Sequence, residues 1–133
     1  MGQFQNVPGP AQADFDTLSE QMANLTPGTT YTTLVSDRFT YTSTASYKTS
    51  FTLTKPSSVV ATQNYNNTAP TWLAICTSSS SSVLANVLAC TNANNGQSIV
   101  LNAILPAGTF YLWGAANSAA GAGNDTIVKA CAI

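Results

Sequence analysis

The apolar and polar positions of this chain fall into two regimes. Between Ala11 and Leu25 the large apolar residues are Phe15, Leu18, Met22 and Leu25, spaced three, four and three apart. That spacing places all four on one face of an α-helix, with Asp16, Ser19, Glu20, Ala23 and Asn24 on the other. Asp14 stands where an N-cap belongs, and Asp14 and Asp16 suit the positive end of the helix dipole. Thr26-Pro27-Gly28 ends the helix. Ahead of it, Met1–Pro10 reads as an extended arm stiffened by Pro8 and Pro10. The stripe is narrow enough to read as an a/d seam, Phe15 and Met22 at a, Leu18 and Leu25 at d. Two heptads are too short to be stable alone. The seam is therefore expected to gather copies of the chain only with help from the rest of the molecule.

Beyond Pro27 the pattern is strand and turn. Tyr47, Thr49, Phe51 and Leu53 alternate with Lys48, Ser50, Thr52 and Thr54, a half-buried strand closed by Lys55-Pro56. Segments 29–36, 38–42, 58–65, 98–105, 109–114 and 126–133 read as further strands, and 72–77 (WLAICT) as a fully buried one. Segments 66–70, 92–96 and 106–108 read as turns, while 78–82 and 115–124 read as flexible loops. Val83–Cys90 is ambiguous between strand and helical turn. About eight or nine strands at 8–12-residue spacing predict an all-β protein, a jelly-roll-like β-sandwich behind one short helix. The expected division is 1–27 for arm and helix and 28–133 for the sandwich.

Composition sharpens this. Charged residues make up 7% of the chain, against about 25% in an average protein. Thr, Ser and Asn supply roughly a third of it. Arg38, Lys48, Lys55 and Lys129 are the only basic residues and are scattered, so nucleic acid is not an expected partner. No secretory leader and no apolar run near the roughly 20 residues of a membrane span is visible. Synthesis in a cytoplasm and no membrane association are expected. Cys76, Cys90 and Cys131 are odd in number and widely spaced, and are expected to be small buried hydrophobes rather than bridged.

Little chemistry is on offer. Without histidine, Ser-His and Cys-His nucleophiles are absent. Asp37 and Asp125 are the only acids after Glu20, and a paired-carboxylate site would require them to converge; capping of turns is the expected role. No catalytic residue, metal site or cofactor is expected. The remaining binding candidates are aromatic. In Phe110-Tyr111-Leu112-Trp113 one alternate pair is expected in the core. Tyr65, within an Asn-rich stretch, is the expected exposed aromatic, and with Trp72 and Trp113 it forms the candidate set for stacking on a glycan.

Two segments resemble a known group of proteins. VPGPAQADFDTLSEQMANL (7–25) resembles the N-termini of small fibre-like virion proteins of tailed gut bacteriophages. TLTKPSSVVATQNY (52–65) and LPAGTFYLWG (105–114) resemble strands of jelly-roll modules in phage fibres and bacterial surface proteins. The resemblance implies a homotrimer in the virion, an N-terminal segment anchored to the capsid or another virion protein through Phe4, Val7, Pro8 and Pro10, and an outward β-domain. The short chain, without a long shaft, favours a head-fibre or capsid-decoration subunit. A glycan- or receptor-binding fibre tip and a monomeric bacterial surface or secreted domain are the competing expectations.

Overall fold

A computed structural model of the protein describes residues 30–80, 86–92 and 96–133. The arm, the helix and the seam at Phe15, Leu18, Met22 and Leu25 lie outside the described residues, as do the anchoring positions Phe4, Val7, Pro8 and Pro10. The described residues form eight strands: β1 (Thr32–Tyr41), β2 (Ser46–Leu53), β3 (Ser57–Gln63), β4 (Pro70–Cys76), β5 (Val87–Thr91), β6 (Ile99–Leu105), β7 (Gly108–Ala116) and β8 (Ala122–Ala132). They build two four-stranded antiparallel sheets, ordered β1-β8-β3-β6 and β2-β7-β4-β5. The described residues are an all-β sandwich.

The core lies between the sheets because each strand turns alternate apolar residues inward. Val59, Ala61, Leu101, Val128 and their neighbours come from the first sheet; Phe51, Leu53, Leu73, Ile75, Phe110 and Leu112 come from the second. Strands β3 and β6 show the alternation most cleanly. The two segments expected at 29–36 and 38–42 are one continuous strand, β1. Val87–Thr91 is strand, which settles the described part of the ambiguous stretch.

Three expectations need correction. Tyr47 does not share the inward face of Phe51 and Leu53: an irregularity between Tyr47 and Thr49 in the pairing with β7 turns it outward. The small-residue stretch 115–124 is not all loop. Ala115 and Ala116 complete β7 as buried residues, and Ala122–Asn124 begin β8. The cysteines are unbridged, but only Cys76 is buried; Cys90 is exposed and Cys131 intermediate. Among the described residues edge strand β5 has a neighbour on one side only, so an apolar-looking segment there leaves Cys90 in solvent.

Of the described glycines, Gly114 has the least room for a side chain. A Cβ there would sit 2.6 Å from Cε1 of Tyr41, whose side chain is fully buried. Only glycine lets the Tyr41 ring pass over β7, and that placement feeds the polar network below.

Candidate interaction surfaces

The described residues offer one built polar centre and two apolar surfaces. The polar centre lies where the β3–β4 loop crosses the start of β8. Asn124 is fully buried there. Its Oδ1 accepts the backbone N–H groups of Asn66 (3.2 Å), Asn67 (3.0 Å) and Thr68 (3.4 Å). Its Nδ2 donates to Gln63 Oε1 (3.0 Å) and to the Thr68 carbonyl (2.9 Å). Gln63, also fully buried, donates from Nε2 to the carbonyls of Trp72 and Ala115, 3.4 Å each. One Asn and one Gln thus satisfy backbone groups from the loop, β4 and β7. Asn66 Oδ1 accepts from the Asp125 N–H (2.7 Å), and Asn67 Nδ2 donates to the Gly123 carbonyl (2.6 Å). The loop is fixed from both sides.

Tyr41 closes the network from below. Its hydroxyl lies 2.7 Å from Thr126 Oγ1, which in turn donates to the Asn124 carbonyl. Burial pushes the Tyr41 phenol up to about 12, with the Thr126 hydrogen bond pulling weakly the other way. The Lys48 ammonium stands 4.7 Å from the Tyr41 ring centroid and donates to the Thr40 carbonyl. Partial burial lowers the Lys48 pKa.

Asp37 and Asp125 both line a shallow groove of about 400 Å³ with Ser36, Arg38, Asn64, Thr126 and Ile127. The register that pairs Arg38 with Asp125 and Asp37 with Thr126 sets the two carboxylates on opposite faces of the β1–β8 ladder, so they do not converge. Both lie in strands rather than capping turns. Arg38 Nε donates to Asp125 Oδ1 at 2.9 Å, and that hydrogen bond holds the Asp125 carboxyl below its ordinary range. A glycosidase acid needs the opposite shift, upward. The pair is half-exposed, so its net contribution to stability is small. Among the described residues no group of three or more His, Cys, Asp or Glu is placed to hold a metal ion.

The first apolar surface is the outer face of the β2-β7-β4-β5 sheet. Trp113, Ala74 and Cys76 form a second buried cluster there, with Trp72, Tyr111 and Val87 packed around it. Tyr47 joins it at 5.9 Å from Tyr111 and 6.2 Å from Trp113, both tilted. Of the alternate pairs in β7, Phe110 and Leu112 took the core and Tyr111 and Trp113 the outside. Trp113 is 7% exposed and donates its indole N–H to the Ser78 carbonyl at 3.0 Å. Burial raises the Cys76 thiol to about 11, with the nearby Cys90 adding to the shift.

The three glycan candidates therefore separate. Trp72 and Trp113 share this face, whereas Tyr65 stands on the β3–β4 loop beside Gly96, half-exposed. Tyr65 is exposed as expected, and its N–H donates to Ser98 Oγ at 2.9 Å. The sequence places Tyr47 in an unbroken alternation with Phe51 and Leu53, which carries no signature of the irregularity that turns it outward.

The second apolar surface is the outward face of edge strand β6, where Val100 and Ile104 are 57% and 75% exposed; on edge strand β5 of the other sheet, Leu88 is 49% exposed. From Pro56 to Asn124 the sequence contains no charged residue, so β3 to β7 carry none. Every charge of the described residues sits on β1, β2, β8 or the β2–β3 turn. One side of the sandwich is charged and the other is not. Among the described residues no helix is long and apolar enough to cross a membrane. Compared with protein-family models, with curated proteins and with solved structures, the chain matches none.

Proposed function

We propose that this chain is a structural subunit of a bacteriophage particle, of the head-fibre or capsid-decoration type. Its N-terminal arm anchors it, and its sandwich is displayed outward as a jelly roll. The observation that carries the reading is the strand order. β1-β8-β3-β6 facing β2-β7-β4-β5 is the arrangement of two interleaved Greek keys, the plan of jelly rolls used by viral capsid and lectin domains. A fold does not dictate a function. The charge-free side at β5 and β6 adds support, because a subunit held in a permanent assembly does not need charge there to stay apart from its neighbours. The resemblance of segment 7–25 to phage fibre N-termini supplies the anchoring role, and the arm would bind the capsid or another virion protein.

Mass spectrometry of purified particles tests this. The reading expects the chain in many copies per particle; its recovery only in the soluble or cell-surface fraction refutes it.

A second reading has its own observation. On the outer face Tyr47, Trp72 and Tyr111 surround the buried Trp113, an aromatic surface of the kind on which sugar rings stack. A glycan array decides it: a specific hit lost in Trp72→Ala makes the domain a receptor-binding module.

A further inference from the structure

Edge strands expose a row of unpaired N–H and C=O groups, and soluble proteins guard them with charge, proline or a covering segment. Two of the four edges here follow that rule. β1 carries Asp37 and Arg38, and β2 carries Lys48. β5 and β6 carry no charge and no proline, and β6 is the longer of the two. β6 pairs with β3 on one side, and among the described residues no strand pairs with its other side.

The sequence of β6 is also symmetric about its centre. Ile99, Leu101 and Leu105 point into the core and are nearly inaccessible, and Ala103 packs against that core. Val100, Asn102 and Ile104 point outward, with Val60 of β3 beside Asn102 in the sheet. Two such strands set antiparallel about Asn102 place Val100 of one opposite Ile104 of the other, twice over. On the core side the same register sets Leu101 against Ala103 and Ile99 against Leu105. Moving the centre by one residue in either direction sets Asn102 against Ile104 or Val100 instead, leaving an amide against an alkyl side chain.

The geometry points to β6 as a self-pairing edge: a second copy of this chain adds its own β6 antiparallel about Asn102, joining two four-stranded sheets into one of eight strands. The occupant is a copy of the chain because a two-fold interface brings identical surfaces together. A charge-free side meets itself without like-charge repulsion; the β1 and β2 sides would bring Arg38 and Lys48 toward their own copies. The inference rests on the reading of the chain as a self-assembling structural subunit. It adds a two-fold contact to whatever the N-terminal seam contributes.

Light scattering and cross-linking of the full-length chain test it. The wild type should scatter as a multiple of 13.8 kDa. Val100→Lys with Ile104→Lys should lower that mass with an unchanged far-UV circular dichroism spectrum, since both side chains face solvent. Asn102→Cys, on a background with Cys90→Ser and Cys131→Ser, should oxidise to a linked dimer. Cα atoms directly opposite in an antiparallel pair are about 4.5–5.5 Å apart, within the span of a disulfide. A monomeric wild type overturns the proposal, as does an oligomer unaffected by the lysines or an Asn102→Cys protein that does not link. An assembly abolished by Phe15→Asp with Met22→Asp but untouched by the lysines assigns self-association to the seam and also overturns it. None of these outcomes bears on whether the chain resides in a particle, which the particle inventory decides separately.

Discussion

Replacing Asn124 with alanine is the most exacting test of what holds the loop end of the sandwich. In the folded protein this side chain accepts three backbone N–H groups and donates to Gln63 Oε1 and the Thr68 carbonyl. Asn66 and Asn67 are exposed, so water can replace the lost acceptor at their N–H groups. Thr68 and Gln63 are buried, 7% and 0% exposed, and their stranded atoms have no such recourse. Each buried polar group left without a partner costs about 1–3 kcal/mol. With three such groups (the Thr68 N–H and C=O and Gln63 Oε1), Asn124→Ala is expected to lose about 3–4 kcal/mol, after allowance for partial relaxation. That is a large part of the roughly 5–15 kcal/mol by which domains are stable. Urea unfolding followed by tryptophan fluorescence measures it, because Trp72 and Trp113 lie on the strands the network ties down. Asn124→Asp separates the halves of the interaction. It keeps the acceptor for the three N–H groups but turns a carboxylate oxygen toward Gln63 Oε1 and the Thr68 carbonyl. It should be destabilising at neutral pH and recover part of the loss in acid, where a protonated carboxyl can donate. A loss below about 1 kcal/mol for Asn124→Ala, the size of one ordinary hydrogen bond, would refute the assignment of Asn124 as the organising residue.

Two further predictions bear on other parts of the molecule. Folding keeps the Tyr41 phenol neutral up to about 12, whereas an unfolded tyrosine ionises near 10, so the native state retains a proton that the unfolded state has released. The stabilisation is fully present below pH 10 and is lost as pH rises toward 12, about 2–3 kcal/mol in all. Tyr41→Phe should remove this alkaline loss; an identical alkaline decline in the variant contradicts the assignment. For the segment outside the described residues, Phe15→Asp with Met22→Asp should reduce the mass of the assembly and leave the sandwich folded, and an unchanged mass by light scattering rejects the seam.

What could be read from the sequence followed the physics of alternation. The inward residues of β3 and β6, the buried run Leu73–Cys76 and the division of β7 into Phe110/Leu112 and Tyr111/Trp113 all follow from side chains alternating across a strand. The features that escaped depend on strand partners. Tyr47 is redirected by an irregularity in its pairing with β7, which its own segment does not encode. Asn124 sits among alanines and glycines that read as loop. Its role appears only once β8 lies beside the β3–β4 loop and Gln63 arrives from more than 60 positions away. The Asp37–Asp125 groove likewise exists because β1 pairs with β8, the first strand with the last. The exposed side of β6 was hidden for the converse reason. Val100 and Ile104 look like core residues in sequence, and only the strand order shows that nothing in the described sandwich covers them.

The central claim, that this is a displayed subunit of a virus particle, is tested most directly by electron cryomicroscopy of purified phage particles that contain the chain. The account predicts repeated copies of an eight-stranded sandwich standing off the capsid surface, attached through density that leads into the residues preceding Thr30. Density for the sandwich at the tip of a tail fibre, with the aromatic face of Tyr47, Trp72 and Trp113 turned outward to a receptor, would contradict it in favour of the glycan-binding reading.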